Sequence, residues 1–132
     1  MNMLSGFAIS QADGRPMYRQ VMEQIKQRIA IGDWQPEQKI PSIREFAVAL
    51  RVSVITIKRA YMELERDGVI VTMQGKGCFV AADPNLGTRL HGQELDEHLV
   101  EAARLAVLAG LELEDLLDLL REAYERIPRS PT

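Results

Sequence analysis

The residues of this 132-residue chain with the clearest chemistry lie on one helical face between Val54 and Arg66. Val54, Ile55, Thr56, Lys58, Arg59, Met62 and Arg66 fall opposite Ile57, Ala60, Tyr61 and Leu64, which recur at helical spacing as one apolar stripe. Small, hydroxylic and basic side chains near the N-terminal end of such a helix suit entry into a DNA major groove. There hydroxyl and cationic groups hydrogen-bond base edges and methyls meet the thymine methyl. Farther along, Gln74-Gly75-Lys76-Gly77 combines two glycines with a lysine. That turn can bring its backbone close to a duplex and direct a charge at phosphate. The same residues also fit a plainer arrangement, an antiparallel helix pair with a solvated charged face and a hairpin turn that only meets backbone geometry.

The elements that must position these residues can be read on either side. Ile43, Phe46, Ala47 and Leu50 form the apolar face of a preceding helix, and Ser42 with Glu45 makes a capping box at its start. Only Arg51-Val52-Ser53 separates the two helices, with Ser53 suited to cap the second, which predicts a helix-turn-helix. Upstream, an irregular start with an extended Phe7-Ala8-Ile9-Ser10 turns at Asp13-Gly14. Pro16 then opens a helix whose stripe is Tyr18, Val21, Met22, Ile25 and Ile29, ending at Gly32-Asp33. Lys39-Ile40-Pro41 is an extended lead into Ser42. After Asp67-Gly68 the period changes to two, giving strands at Val69–Met73 and Cys78–Ala81 around the glycine turn. Three helices followed by a two-stranded hairpin predict a winged helix-turn-helix over residues 8–82, in a chain that is mostly α with a small β-hairpin wing.

Charge is divided along the chain. The formal total is −3, yet residues 1–82 carry +3 and residues 83–132 carry −6. A basic half joined to an acidic half suits a nucleic-acid module with an appended partner-binding segment. A hydrophobic content of 46% is enough for a packed core. No apolar run approaches a membrane span, and the start MNMLSGFAIS lacks the pattern of a signal peptide. The single cysteine, Cys78, permits no internal disulfide and fits a reducing cytosol, so a cytoplasmic protein is expected. Cys78 has no histidine near it in sequence and reads as a small packed residue. His91 and His98 lack a zinc-ligand pattern, and Glu112, Glu114, Asp115 and Asp118 read as a solvated helix face. No catalytic residue, metal site or cofactor is expected.

The acidic end has its own pattern. AADPNLGTRLHG clusters turn residues and predicts a linker at 83–92. Beyond it, Leu95, Leu99, Ala102, Ala106 and Ala109 recur on one helical face, which Ala103 widens and Gly110 ends. Leu113, Leu116, Leu117, Leu120, Tyr124 and Ile127 make a second stripe. Two helices this short cannot bury so many leucines against each other alone. They can dock on the winged helix of the same chain, or exchange with the same tail of a second copy into a four-helix core. The second reading makes 93–127 a short two-helix C-terminal dimerisation segment and the protein a homodimer.

The run from Pro16 to Val80 resembles the DNA-binding domain of GntR-family bacterial transcription regulators. Three motifs in order carry the resemblance: Pro41, Ser42, Arg44, Glu45 and Ala47 before and within the first helix of the motif; the V-S…T…RA element around the second; and the QG-x-G-x-FV wing from Gln74 to Val80. Arg59 to Gly68 and the short tail are most similar to the YtrA-type subfamily, which also favours the dimer. The resemblance implies that Arg44 holds a DNA strand, that the start of the recognition helix, with Thr56 and Lys58, reads bases, and that Gly75 enters the minor groove. It extends more loosely to Ser53, Arg59 and Lys76. Many members have a guanine-reading arginine where this chain has Val54, whose methyls can instead pack on a thymine methyl. Larger relatives enclose a metabolite at the end where this chain has too little left to do so, so no dedicated effector domain is expected and any small-molecule effector is unknown. The expected function is a transcription regulator, a repressor that binds a palindromic operator in double-stranded DNA as a homodimer. A protein-docking module and a non-specific nucleic-acid-binding winged helix stand as alternatives.

Overall fold

The computed structural model describes residues 3–129. Its elements run α1 (Met17–Ala30), α2 (Ile43–Leu50), α3 (Val54–Arg66), β1 (Ile70–Met73), β2 (Gly77–Val80), α4 (Leu86–Leu108) and α5 (Leu113–Arg126), with one 3-10 turn at Gln11–Asp13. They fall into two units, one reaching to His91 and one beginning at Gly92.

In the first unit α1 and α2 both pack on α3. Val21, Ile25, Phe46, Ile57, Ala60 and Leu64 are wholly buried between them. Each large aliphatic or aromatic side chain buried this way is worth about 1.5–3 kcal/mol. The Phe46 ring meets Phe7 and Tyr61 edge-on, with centroids 5.2 and 6.0 Å away. Tyr61 in turn donates its hydroxyl to the Pro41 carbonyl at 2.5 Å, tying α3 to the segment that leads into α2. Burial pushes that phenol far up, so it stays a donor.

Local signals set the helix ends. Ser42 Oγ accepts from the Glu45 amide and Glu45 Oε1 accepts from the Ser42 amide, both at 3.1 Å, completing the expected capping box. At the other end of α2 the Val52 amide reaches the Ala47 carbonyl at 3.1 Å while Arg51 takes φ 56°. This is a Schellman closure, a place where glycine is usual, and it is what folds α3 back across α2. Ser53 then caps α3 through the Thr56 amide at 3.1 Å.

The unit starts earlier than residue 8, where the sequence pattern began it. Leu4 is buried and Phe7 packs against the core. Two glutamines on α1 hold the extended stretch by treating its backbone as a strand. Gln24 accepts from the Ala8 amide and donates to its carbonyl, and Gln20 does the same with Ser10. That pairing explains why Gln20 is buried although polar. The hairpin is antiparallel, with Ile70 opposite Val80 and Met73 opposite Gly77. The chain before α2 adds to its far edge: the Ile40 amide donates to Cys78 O and the Val80 amide to Gln38 O, each at 2.9 Å.

The expected linker at 83–92 is corrected. It is helical from Leu86, and α4 therefore begins nine residues before Leu95. Leu86 and Leu90, one turn apart and buried, supply the apolar contacts that make a helix of a stretch rich in turn residues. In the second unit, the Leu111 amide donates to Ala106 O at 2.9 Å and the Gly110 amide to Val107 O at 3.1 Å, which closes α4 at the expected glycine. Asp115 accepts from the Glu112 amide at 3.1 Å and starts α5.

Candidate nucleic-acid interface

The N-terminal turn of α3 is the best-defined part of the site. Ser53 Oγ lies 2.8 Å from Thr56 Oγ1 as well as accepting the Thr56 amide, so the two hydroxyls form one fixed pair. Ser53 is thus a cap first, and Thr56, half-buried, has its hydroxyl oriented by that cap. Val54 and Ile55 stand out beside them, 49% and 80% exposed. Lys58, one turn on, is exposed and has no carboxylate within ion-pair distance among the described residues. A helix N-terminus also carries a partial positive charge that favours phosphate nearby.

Arg59 is placed differently from Lys58. Its guanidinium stacks 4.1 Å over the Tyr18 ring and its Nη2 donates to the Tyr18 hydroxyl at 3.3 Å. Arg19 donates to the same hydroxyl at 3.4 Å, and this bond holds the Tyr18 phenol below its usual range. Arg59 is therefore tethered at the start of α1, where Tyr18 and Arg19 join it; neither was marked by the sequence pattern, which read Tyr18 only as part of an apolar stripe. Arg66, at the far end of the outward face, is taken up by Glu63 and lies 3.8 Å from Asp67.

Arg44 is exposed on the first turn of α2, and Lys76 is exposed in the wing turn. The cations of this unit divide sharply. Arg15, Lys26, Arg28, Arg66 and Arg89 have carboxylate partners. Lys39, Arg44, Arg51, Lys58 and Lys76 have none within ion-pair distance among the described residues. Arg19 and Arg59, which meet at the Tyr18 hydroxyl, have none either; apart from Arg19, the unneutralised charge gathers on the segment from Lys39 to Lys76, where it can attract a polyanion.

Comparison with known proteins fits this geometry. Residues 17–80 match the model for "Bacterial regulatory proteins, gntR family". The HTH-type transcriptional repressor YtrA of Bacillus subtilis strain 168 is 34% identical over 109 residues, covering 81% of this chain and 83% of that protein. The chain belongs to the GntR family. A GntR-family transcriptional regulator from Listeria monocytogenes superposes with a TM-score of 0.73 at 27% identity, over 83% of this chain and 96% of that one. The AraR DNA-binding domain, solved in complex with operator ORX1, superposes with a TM-score of 0.50 at 38% identity, over 55% of this chain and 87% of that one. The protein is a DNA-binding transcription regulator with the winged helix of this family.

Within that GntR fold Gly75 occupies the wing turn at φ 79°, and a Cβ there would meet nothing within 4 Å. Any cost of a side chain is conformational, about 1–2 kcal/mol for an L residue forced left-handed and more when β-branched. Gly75→Val is therefore expected to lose stability as well as duplex binding. Gly75→Asn, which tolerates this conformation, should melt close to the parent and still bind duplex less well. Melting curves and binding titrations on the pair check this; normal binding by Gly75→Asn would make the wing a structural hairpin only.

The residues expected to dimerise lie on α4 and α5. Ala106 is buried and Leu116 half-buried, while Leu95, Leu99, Ala102, Leu113, Leu117, Leu120 and Tyr124 are exposed. His91 Nε2 lies 2.9 Å from the Ala30 carbonyl, and His98 is 3.6 Å from Glu94. Among the described residues no helix is long and apolar enough to cross a membrane.

Proposed function

We propose that the protein is a repressor that occupies an inverted-repeat operator as a homodimer, with α3 in the major groove of each half-site and the wing turn against the adjacent backbone. The observation that carries the reading is the exposed start of α3, where fixed hydroxyls, the methyls of Val54 and Ile55, and the unpaired Lys58 stand on one unneutralised surface. Arg44, also without a carboxylate partner, is assigned to phosphate, and Lys58 with Thr56 to base edges. The tail supplies the second copy: large apolar side chains on α4 and α5 remain exposed within one chain, and identical stripes can cover one another across a two-fold axis. Its acidic residues keep that core off DNA phosphate.

Titration of a duplex over a salt series tests the DNA assignment. Arg44→Ala is expected to weaken all sequences evenly and to make the salt slope shallower by about 0.9. A slope equal to the parent's, in a folded variant, removes Arg44 from the interface. Weak binding with no sequence preference would favour a non-specific nucleic-acid module, and no binding at low salt a protein-docking role.

A further inference from the structure

We propose that Lys39 is a further DNA-backbone contact of the wing, and that Gly77 lacks a side chain so that the stem of this lysine can be seated across it. The proposal rests on the DNA-binding reading above.

In the sequence Lys39 belongs only to a short extended lead into α2. Folding gives that lead a definite place. Lys39 pairs with Phe79 of β2 in an antiparallel bridge, flanked by the hydrogen bonds from Ile40 to Cys78 and from Val80 to Gln38. Lys39 thereby lies along the β2 edge of the wing, its backbone held there by that bridge and the two flanking hydrogen bonds. Its side chain runs over the end of the wing turn: a Cβ built at Gly77 would lie 2.9 Å from Lys39 Cε, 3.6 Å from Nζ and 4.0 Å from Cδ. Even alanine at 77 would displace the lysine, on top of the strain from φ 119° at that position.

The charge on this lysine is not spent inside the protein. Lys39 is exposed and no carboxylate lies within ion-pair distance among the described residues. The Glu45 carboxylate feels it, but Glu45 is committed to the Ser42 amide in the capping box. Lys39 thus lies against Gly77 at the end of the wing turn, and its charge reaches Glu45 on the first turn of α2. A lysine usually loses much rotamer freedom on meeting a phosphate. A stem laid across Gly77 has already lost part of it, and an ammonium reads phosphate as a point charge without base preference.

The test is a set of salt-series titrations on one operator and one scrambled duplex, using the parent, Lys39→Gln, Lys39→Arg and Gly77→Ala, each checked by melting. Lys39→Gln should make the slope of log affinity against log salt shallower by about 0.9, with the ratio between the two duplexes unchanged. Lys39→Arg should restore the slope. Gly77→Ala should lose the same increment and add nothing when combined with Lys39→Gln, since both remove one contact. A folded Lys39→Gln variant with the parent's slope overturns the contact. A Gly77→Ala slope equal to the parent's overturns the seating. A parent that binds no duplex at low salt overturns the DNA-binding reading, and this proposal with it.

Discussion

Leu117→Glu is expected to leave a folded winged helix that is monomeric and binds its operator about 10²–10⁴-fold more weakly, the range by which linking two modules raises avidity. Leu117 is 40% exposed on α5, on the same stripe as Leu113, Leu120 and Tyr124. In the proposed dimer that stripe meets its copy, and a carboxylate there would be stripped of water among leucines. One winged helix contacts a modest stretch of duplex, and a single module of that size rarely binds both tightly and specifically. Two heads joined by a two-fold tail read two half-sites at a spacing the tail fixes. Sedimentation of variant and parent, with titration of one operator, checks the point. A parent that is monomeric at micromolar concentration and still binds a palindrome tightly would give the tail another role.

Lys58→Ala should cost about 1–3 kcal/mol of operator binding, or roughly 5- to 150-fold, and relax the preference at one position in each half-site. The effect is expected to exceed that of Arg59→Ala. Lys58 is exposed and unpaired, whereas the Arg59 guanidinium already rests on Tyr18 and must leave that contact to reach a base. Titration against duplexes substituted one base pair at a time separates the two, because a phosphate contact weakens every duplex alike. Equal losses on all duplexes would move Lys58 from base reading to the backbone.

The parts of this fold legible in the sequence were those determined by neighbours a few residues apart. The Ser42–Glu45 capping box, the Ser53 cap and the stop at Gly110 are local hydrogen-bonding patterns, and the structure has each where spacing placed it. The apolar stripes of α1, α2 and α3 were equally plain, because all three face one core. What escaped were contacts made at long range. Leu4 and Phe7 join the core from a start that reads as irregular, held by side-chain amides from α1 whose geometry no period reveals. The start of α4 was hidden by Pro84, Asn85 and Gly87, residues that usually mark loops, and becomes helix where Leu86 and Leu90 find an apolar surface.

The candidate site divides along the same line. Thr56, Lys58, Gly75 and Lys76 could be named because a helix face and a turn motif carry them, and the GntR resemblance added Arg44. Tyr18 and Arg19, beside Arg59, could not be named, since a tyrosine at the edge of an apolar stripe looks like core until a guanidinium from α3 is found on it. Lys39 needed the pairing with Phe79, forty residues away.

The most direct measurement is the selection of duplexes from fragmented genomic DNA by the parent protein at physiological salt, followed by sequencing of what is retained. One enriched inverted repeat is expected, bound by two protomers and preferred over bulk DNA by at least about 10³-fold. Uniform retention of fragments without a shared repeat, or none at all, would contradict it.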